Sequence, residues 1–229
     1  DGLGDASIPE PSITHKATHA VNATIDIAKE YDGEITYIAL GRLTNLALAL
    51  SLDPNLINLI SEVVVMGGAI HQPGNATPVA SANLSGDVMA ADVVYASGLN
   101  IAQIGLDVCN KVEISVLEQE QIWNLGSPVS DFLKKITPFI QSAYGKIGNA
   151  KEGAVRYNDM PAVGYAIDDK LFTCERLKIG IETEGKYTKG QTVDGTRRNF
   201  IDDANLVNVA LEVDDTNLKK LWLKTISSY

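Results

Sequence analysis

"EITYIALGRLTNLALALSLDPNLINLISEVVVMGGA" (residues 34–69) decides how the rest of the chain is read. "EITYIAL" (34–40) is dense in β-branched and aromatic residues and reads as a buried strand. "LTNLALALSLDP" admits two readings, because Leu46, Leu48, Leu50 and Leu52 alternate as they would in a strand. Leu and Ala favour helix, no β-branched residue follows Thr44, and Asp53-Pro54 is a stop, so a helix is expected from about Leu43 to Leu52. "SEVVVMGG" then forms a second strand ending at Gly67-Gly68. Strand, helix and strand in this order make a βαβ unit, and such units build parallel sheets.

The pattern continues outward from this unit. Downstream, "DVMAADVVYASG" reads as a helix stopped by Gly98, "NIAQIGLDV" (100–108) as a strand, and residues 115–124 and 129–147 as helices. Ser115 and Glu118 have the spacing of a capping box. "ERLKIGIETEGKYTKGQTVDG" (175–195) reads as a hairpin, "NLVNVALEVD" (205–214) as a strand and residues 216–226 as a closing helix. Upstream, Ala17, Val21, Ile25 and Ala28 have helical spacing within residues 15–31, with Ser12 or Thr14 as cap. The expectation is one domain over residues 1–229: an α/β fold with an open, mostly parallel sheet flanked by helices. Asp1-Gly-Leu-Gly-Asp5 is a turn with no strand before it, so the natural N-terminus and the first strand or strands are expected to precede Asp1.

Composition narrows the function classes. The 229 residues are 45% apolar, carry a net charge of −10, and contain no Lys/Arg run longer than a pair such as Arg197-Arg198. A phosphate backbone has no basic face to bind, so nucleic acid is excluded as partner. No apolar run approaches a membrane span, so no membrane role is expected. No signal peptide is visible either, and a cytoplasmic location is expected. Cys109 and Cys174 are isolated and read as reduced, buried thiols rather than a disulfide. His15 and His19, four apart, lack a third metal ligand and read as polar residues of a helix's first turns.

Open parallel sheets bind ligands beyond the carboxyl ends of their strands, which here are the Leu40-Gly41 and Met66-Gly67-Gly68 corners. The second corner opens a loop, Gly68 to Gly86, that is long, almost uncharged and rich in small and amide side chains. It is either a long surface loop or a binding element. In the second case Asn75 and Asn83, each offering a donor and an acceptor, suit the vicinal hydroxyls of a sugar. In "RYNDMPAVGYAIDD" (156–169), Asp159 is placed either to cap a helix or to give oxygen to a hard cation.

The segments "ALGRLTNLALAL", "VVVMGGA", "GNATPVASAN", "GLDV", "NDMPAVGYAID" and "TEGKYTKGQTVDG", in this order, resemble the inosine-uridine preferring nucleoside hydrolases from Asp1 to about Asp202. The resemblance implies a Ca2+ ion that holds a water and the ribose hydroxyls while the N-glycosidic bond of a nucleoside is hydrolysed. It implies metal contacts at the Leu40 carbonyl and Asp159, and substrate contacts at Met66, Asn75, Ser81 and Asn83. It further implies a homo-oligomer, dimer or tetramer. The family's N-terminal aspartate cluster, with the general base and further calcium ligands, is not in these residues. Ser81 stands where a glutamate commonly reaches the ribose, Asn158 where purine-handling members have a leaving-group histidine, and Arg42 where a proline follows the glycine. Asparagine is no useful proton donor at neutral pH. A non-catalytic riboside binder and an inactive fragment are therefore the alternatives to an enzyme.

Overall fold

The computed structural model describes residues 3–7, 10, 12–145, 151–197, 201 and 205–229. Helix α1 (Ala20–Tyr31) precedes the βαβ unit, which comprises β1 (Ile35–Ala39), α2 (Thr44–Leu52), the single turn α3 (Leu56–Leu59) and β2 (Ile60–Met66). Then come α4 (Ala82–Ser85), α5 (Val88–Tyr95), β3 (Ile101–Ile104), α6 (Leu106–Cys109), α7 (Val116–Trp123), α8 (Pro128–Gly145) and α9 (Met160–Ile167). Strands β4 (Phe172–Ile181), β5 (Thr192–Asp194) and β6 (Leu206–Val213) and helix α10 (Asp215–Ile226) complete the chain.

The six strands lie in the order β1-β2-β3-β6-β4-β5. β1, β2, β3 and β6 run parallel, and β4 and β5 run antiparallel to their neighbours. The expected open, mostly parallel sheet is thus present. Pairing Ala39 with Val65 and Met66 with Ile104 brings the carboxyl ends of β1, β2 and β3 to one edge. "VVVM" is apolar throughout because both faces of β2 are covered. Val63 and Val65 pack with Leu46, Ala49 and Val94 on one side, and Val64 and Met66 with Ile104, Ala162 and Leu218 on the other. Each such buried side chain contributes roughly 1.5–3 kcal/mol.

Several boundaries differ from expectation for local reasons. α1 starts at Ala20, not near residue 15, because His19 is extended and its Nδ1 accepts from Val21 N at 3.2 Å; Ser12 and Thr14 cap nothing. The third strand stops at Ile104, not 108. Gly105 is so close to the Met66 corner that a β-carbon there would stand 2.8 Å from the Gly68 carbonyl oxygen, and the chain turns into α6. The first hairpin strand begins at Phe172 rather than 175, because its early residues pair with β6 as far as Phe172 against Val213. The Ser115/Glu118 capping box forms as expected. The expected end of α8 at residue 147 lies outside the described residues. Both cysteines are free, with Cys109 buried and Cys174 only half-buried. Among the described residues no helix is long and apolar enough to cross a membrane.

Candidate functional site

The carboxyl edge of the sheet opens onto a cavity of about 620 Å³. Leu40 and Met66 line it from the ends of β1 and β2, Asn75, Ser81 and Asn83 from the loop between β2 and α5, and Asn158 and Asp159 from the entrance to α9. All seven residues singled out in the sequence therefore share one cavity. The opposite wall is one face of α8, where Ile136, Phe139, Ile140 and Ala143 recur at helical spacing.

The two loop asparagines are oriented by the backbone. Asn83 Nδ2 donates to the Met66 carbonyl at 2.8 Å and to the Leu40 carbonyl at 3.2 Å, with Met66 Sδ 3.1 Å away. Asn75 Oδ1 accepts from Ala82 N at 2.8 Å. The remaining amide atoms, Asn83 Oδ1 and Asn75 Nδ2, make no hydrogen bond among the described residues, which leaves one acceptor and one donor for a ligand. Ser81 is buried, and its Oγ accepts from Gly68 N at 2.8 Å and from Leu84 N at 3.5 Å as the cap of α4.

Asp159 precedes α9 without a side-chain capping bond, so the cap that its position suggested is not made. It is in no ion pair among the described residues. Its side chain opens to the cavity, yet the surrounding protein desolvates it enough to raise its pKa above the ordinary value. Asn158 Oδ1 is buried with no partner among the described residues, and its backbone carbonyl accepts from the Cys109 thiol at 3.3 Å. Neither neighbour is a free acid. Arg156 is paired with Glu113 at 2.6 Å and reaches Asn110 at 3.3 Å, and the Tyr157 hydroxyl shares a 2.5 Å hydrogen bond with Thr137 Oγ1. Burial raises the Tyr157 pKa, against the opposing pull of that bond.

Two buried polar side chains that the sequence did not single out, Asp107 and Thr192, hold the loop in place, and a third, Gln103, lies beneath it. Asp107 in "GLDV" accepts from Ile70 N at 2.8 Å and His71 N at 2.7 Å. Thr192 on β5 accepts from Ala69 N at 3.0 Å and donates to Ala69 O at 2.7 Å. Gln103, bonded through Oε1 to the Tyr95 hydroxyl at 2.9 Å, lies directly beneath Gly68. Gly68 adopts φ +82 with no room for a β-carbon over that amide, so only glycine serves there. The one legible signal was an acid flanked by apolar residues, Asp107; a charge buried there needs donors.

Comparison with known proteins shows the family. The family model described as inosine-uridine preferring nucleoside hydrolase matches residues 1–220. The chain belongs to that family. It is 34% identical over 192 residues to a pyrimidine-specific ribonucleoside hydrolase of Enterobacter sp. (strain 638), covering 84% of this chain and 61% of that relative. The nucleoside hydrolase fold here superimposes with a TM-score of 0.90 on the purine-preferring ribonucleoside hydrolase from Gardnerella vaginalis, at 31% identity over 99% of this chain and 71% of that one. A plant nucleoside hydrolase gives 0.88 at 26% identity over 100% and 73%. The chain thus spans about three-fifths of the length of the curated relatives it matches.

Proposed function

We propose that this nucleoside hydrolase chain carries most of the active site of a calcium-dependent ribonucleoside hydrolase, cleaving a nucleoside to ribose and free base. The supporting observation is the convergence in one cavity of the Leu40 carbonyl, an unpaired carboxylate at Asp159 and two amides with free faces. Calcium prefers six to eight hard oxygen ligands. The Leu40 carbonyl and Asp159 carboxylate are of the right chemistry, though the described residues contain no cluster of three acidic, His or Cys ligands. The remaining oxygens and the general base are assigned to the aspartate cluster that the family carries elsewhere in its polypeptide. When bound, the ion would orient the ribose diol and acidify the attacking water.

The chain's own residues do the rest. Asn83 Oδ1 accepts a hydrogen bond from a ribose hydroxyl, and Asn75 Nδ2 donates one to a ribose oxygen. Both are neutral, so they grip the sugar without adding charge beside the cation. The apolar face of α8 offers Phe139 and Ile140 to the flat base and excludes water from the glycosidic bond. Asn158 holds the departing base by hydrogen bonding rather than by proton transfer. A homo-oligomer and a cytoplasmic location remain part of this reading.

The test uses the full-length polypeptide, stripped of metal and titrated with calcium, with free ribose assayed over purine and pyrimidine nucleosides. Calcium-dependent ribose release is expected; no release from any nucleoside overturns the reading. One observation favours a second reading, a riboside binder without turnover. Ser81 is committed to the Gly68 and Leu84 amides and cannot replace an acid reaching for the ribose. Calorimetric nucleoside binding without ribose release selects that alternative.

A further inference from the structure

The corner between β1 and α2 presents the Leu40 carbonyl and is anchored from below by Leu43, which is buried in the core. Around Gly41 the space is open. Residues 83–87, across the cavity edge, add further restraints. Asn83 Nδ2 donates to the Leu40 carbonyl at 3.2 Å, and Thr44 Oγ1 donates to Asp87 Oδ2 at 2.6 Å. Between these two contacts the Arg42 side chain lies flat on Gly86. A β-carbon at Gly86 would stand 2.9 Å from Arg42 Cδ and 3.0 Å from Cζ, and closer still to Nε. Gly86 has φ −69 and ψ −25, a conformation open to any residue. Its backbone does not require glycine, and the space a β-carbon would take is filled by the exposed end of the Arg42 side chain. Thr44's hydroxyl first, the Ala90 amide next and, after opposing burial, the charge of Arg42 hold the Asp87 carboxyl below its ordinary range.

We infer that Arg42 is a positioning residue: its guanidinium, seated on Gly86, latches the β1–α2 corner to the end of the polar loop and sets the Leu40 carbonyl and the Asn83 amide as one unit. The inference rests on the calcium-site reading above. Asn83 links the same carbonyl to that of Met66, so a shift of the corner turns the amide that faces the ligand. In place of the proline that the family resemblance expects, whose ring would stiffen the corner from within, Arg42 stiffens it from across the loop.

The test compares Arg42→Ala, Gly86→Ala and the double variant with the parent, all as full-length polypeptide. Gly86→Ala is a clean probe, since the backbone accepts alanine and only the mobile end of Arg42 must leave. Calcium affinity by calorimetry, without substrate, is expected to fall about tenfold in each single variant, as for a contact behind a metal ligand. The double variant is expected to be no weaker than either single one, because both remove the same contact. Hydrogen exchange, read without metal, is expected to quicken in residues 40–44 and 82–87 together, with the thermal midpoint nearly unchanged. Parent-like affinity and exchange in the single variants, or multiplied losses in the double, overturn the latch. A parent that binds no calcium overturns the functional reading instead, and the exchange data then decide the latch alone.

Discussion

Two concavities share a wall but are built from different parts of the fold. The larger, about 620 Å³, lies over the strand ends; the smaller, about 380 Å³, lies between α8, α9 and α10. Tyr157 and Asp159 line both. In the first, the chain leaves the sheet and exposes carbonyls and amides, which Asn75 and Asn83 extend into the space. In the second, helices that satisfy their own backbones present Leu133, Val163, Leu218 and Trp222, and among the described residues Asp159 is the one charged side chain. Polar chemistry thus collects where parallel strands end, because backbone groups there lose their partners and must find others. Helix faces supply only packing.

Substitutions sharpen this contrast. Asp159→Ala is expected to lower kcat/KM about a thousandfold, roughly 4 kcal/mol of transition-state stabilisation, while the metal-free thermal midpoint barely moves. A tenfold loss or less would mean that the polar cavity does not depend on this carboxylate. Leu218→Ala in the apolar groove should do the reverse. Leu218 is 1% exposed and packs against Gly164, so denaturant unfolding should show a loss of about 3 kcal/mol, with unchanged kcat/KM in the folded protein.

Asp107→Asn tests the staple beneath the polar cavity. One of the Ile70 and His71 amides then faces an NH2 donor in place of its acceptor, at about 2 kcal/mol, and KM should rise as the loop carrying Asn75 loosens. Unchanged stability would show that the loop is held by Ser81 and Thr192 alone. Phe139→Ala removes the ring offered to the base and should raise KM severalfold, about 1 kcal/mol, with little effect on kcat. The smallest effect is a control at the α7–α10 contact. Glu118 is opposed most by desolvation, but the Ser115 hydroxyl and amide and then Lys219 together hold it below its ordinary value of 4.5. A group with a lowered folded pKa stabilises above that value and loses its contribution as pH falls. Glu118→Gln should therefore flatten the acid limb of the stability–pH curve by roughly 0.5 kcal/mol, without touching either cavity.

The legible and the hidden residues differ in kind. "VVVMGG" was readable because an unbroken apolar run ending in glycines has few meanings, and the amide-rich loop was readable because it lacked the charge of an ordinary surface loop. Asn75, Asn83 and Asp159 entered through residue type and family resemblance together. Thr192 was invisible, since a threonine on a short strand 123 residues from its partner Ala69 carries no local mark. The start of α1 at Ala20 was also hidden, because His19 acts as a cap only through its own side-chain geometry. Asp159 looked like a helix cap by position, and only the structure, with its backbone already at φ −81 and ψ −21, showed that the capping bond was not made.

By itself the sequence determined the order of strands and helices, the two buried faces of β2 and the chemical types gathered for a sugar and a hard cation. Periodicity and propensity are local properties, written within a few residues of where they act. The tertiary structure alone decided which faces of those amides remain open, that Ser81 is engaged as a cap, and that residues 83–87 brace the Leu40 corner. Those outcomes depend on hydrogen bonds whose partners no local pattern names, some of them, as in the brace of the Leu40 corner, between residues 43 apart and others, as for Ser81 and Gly68, 13 apart.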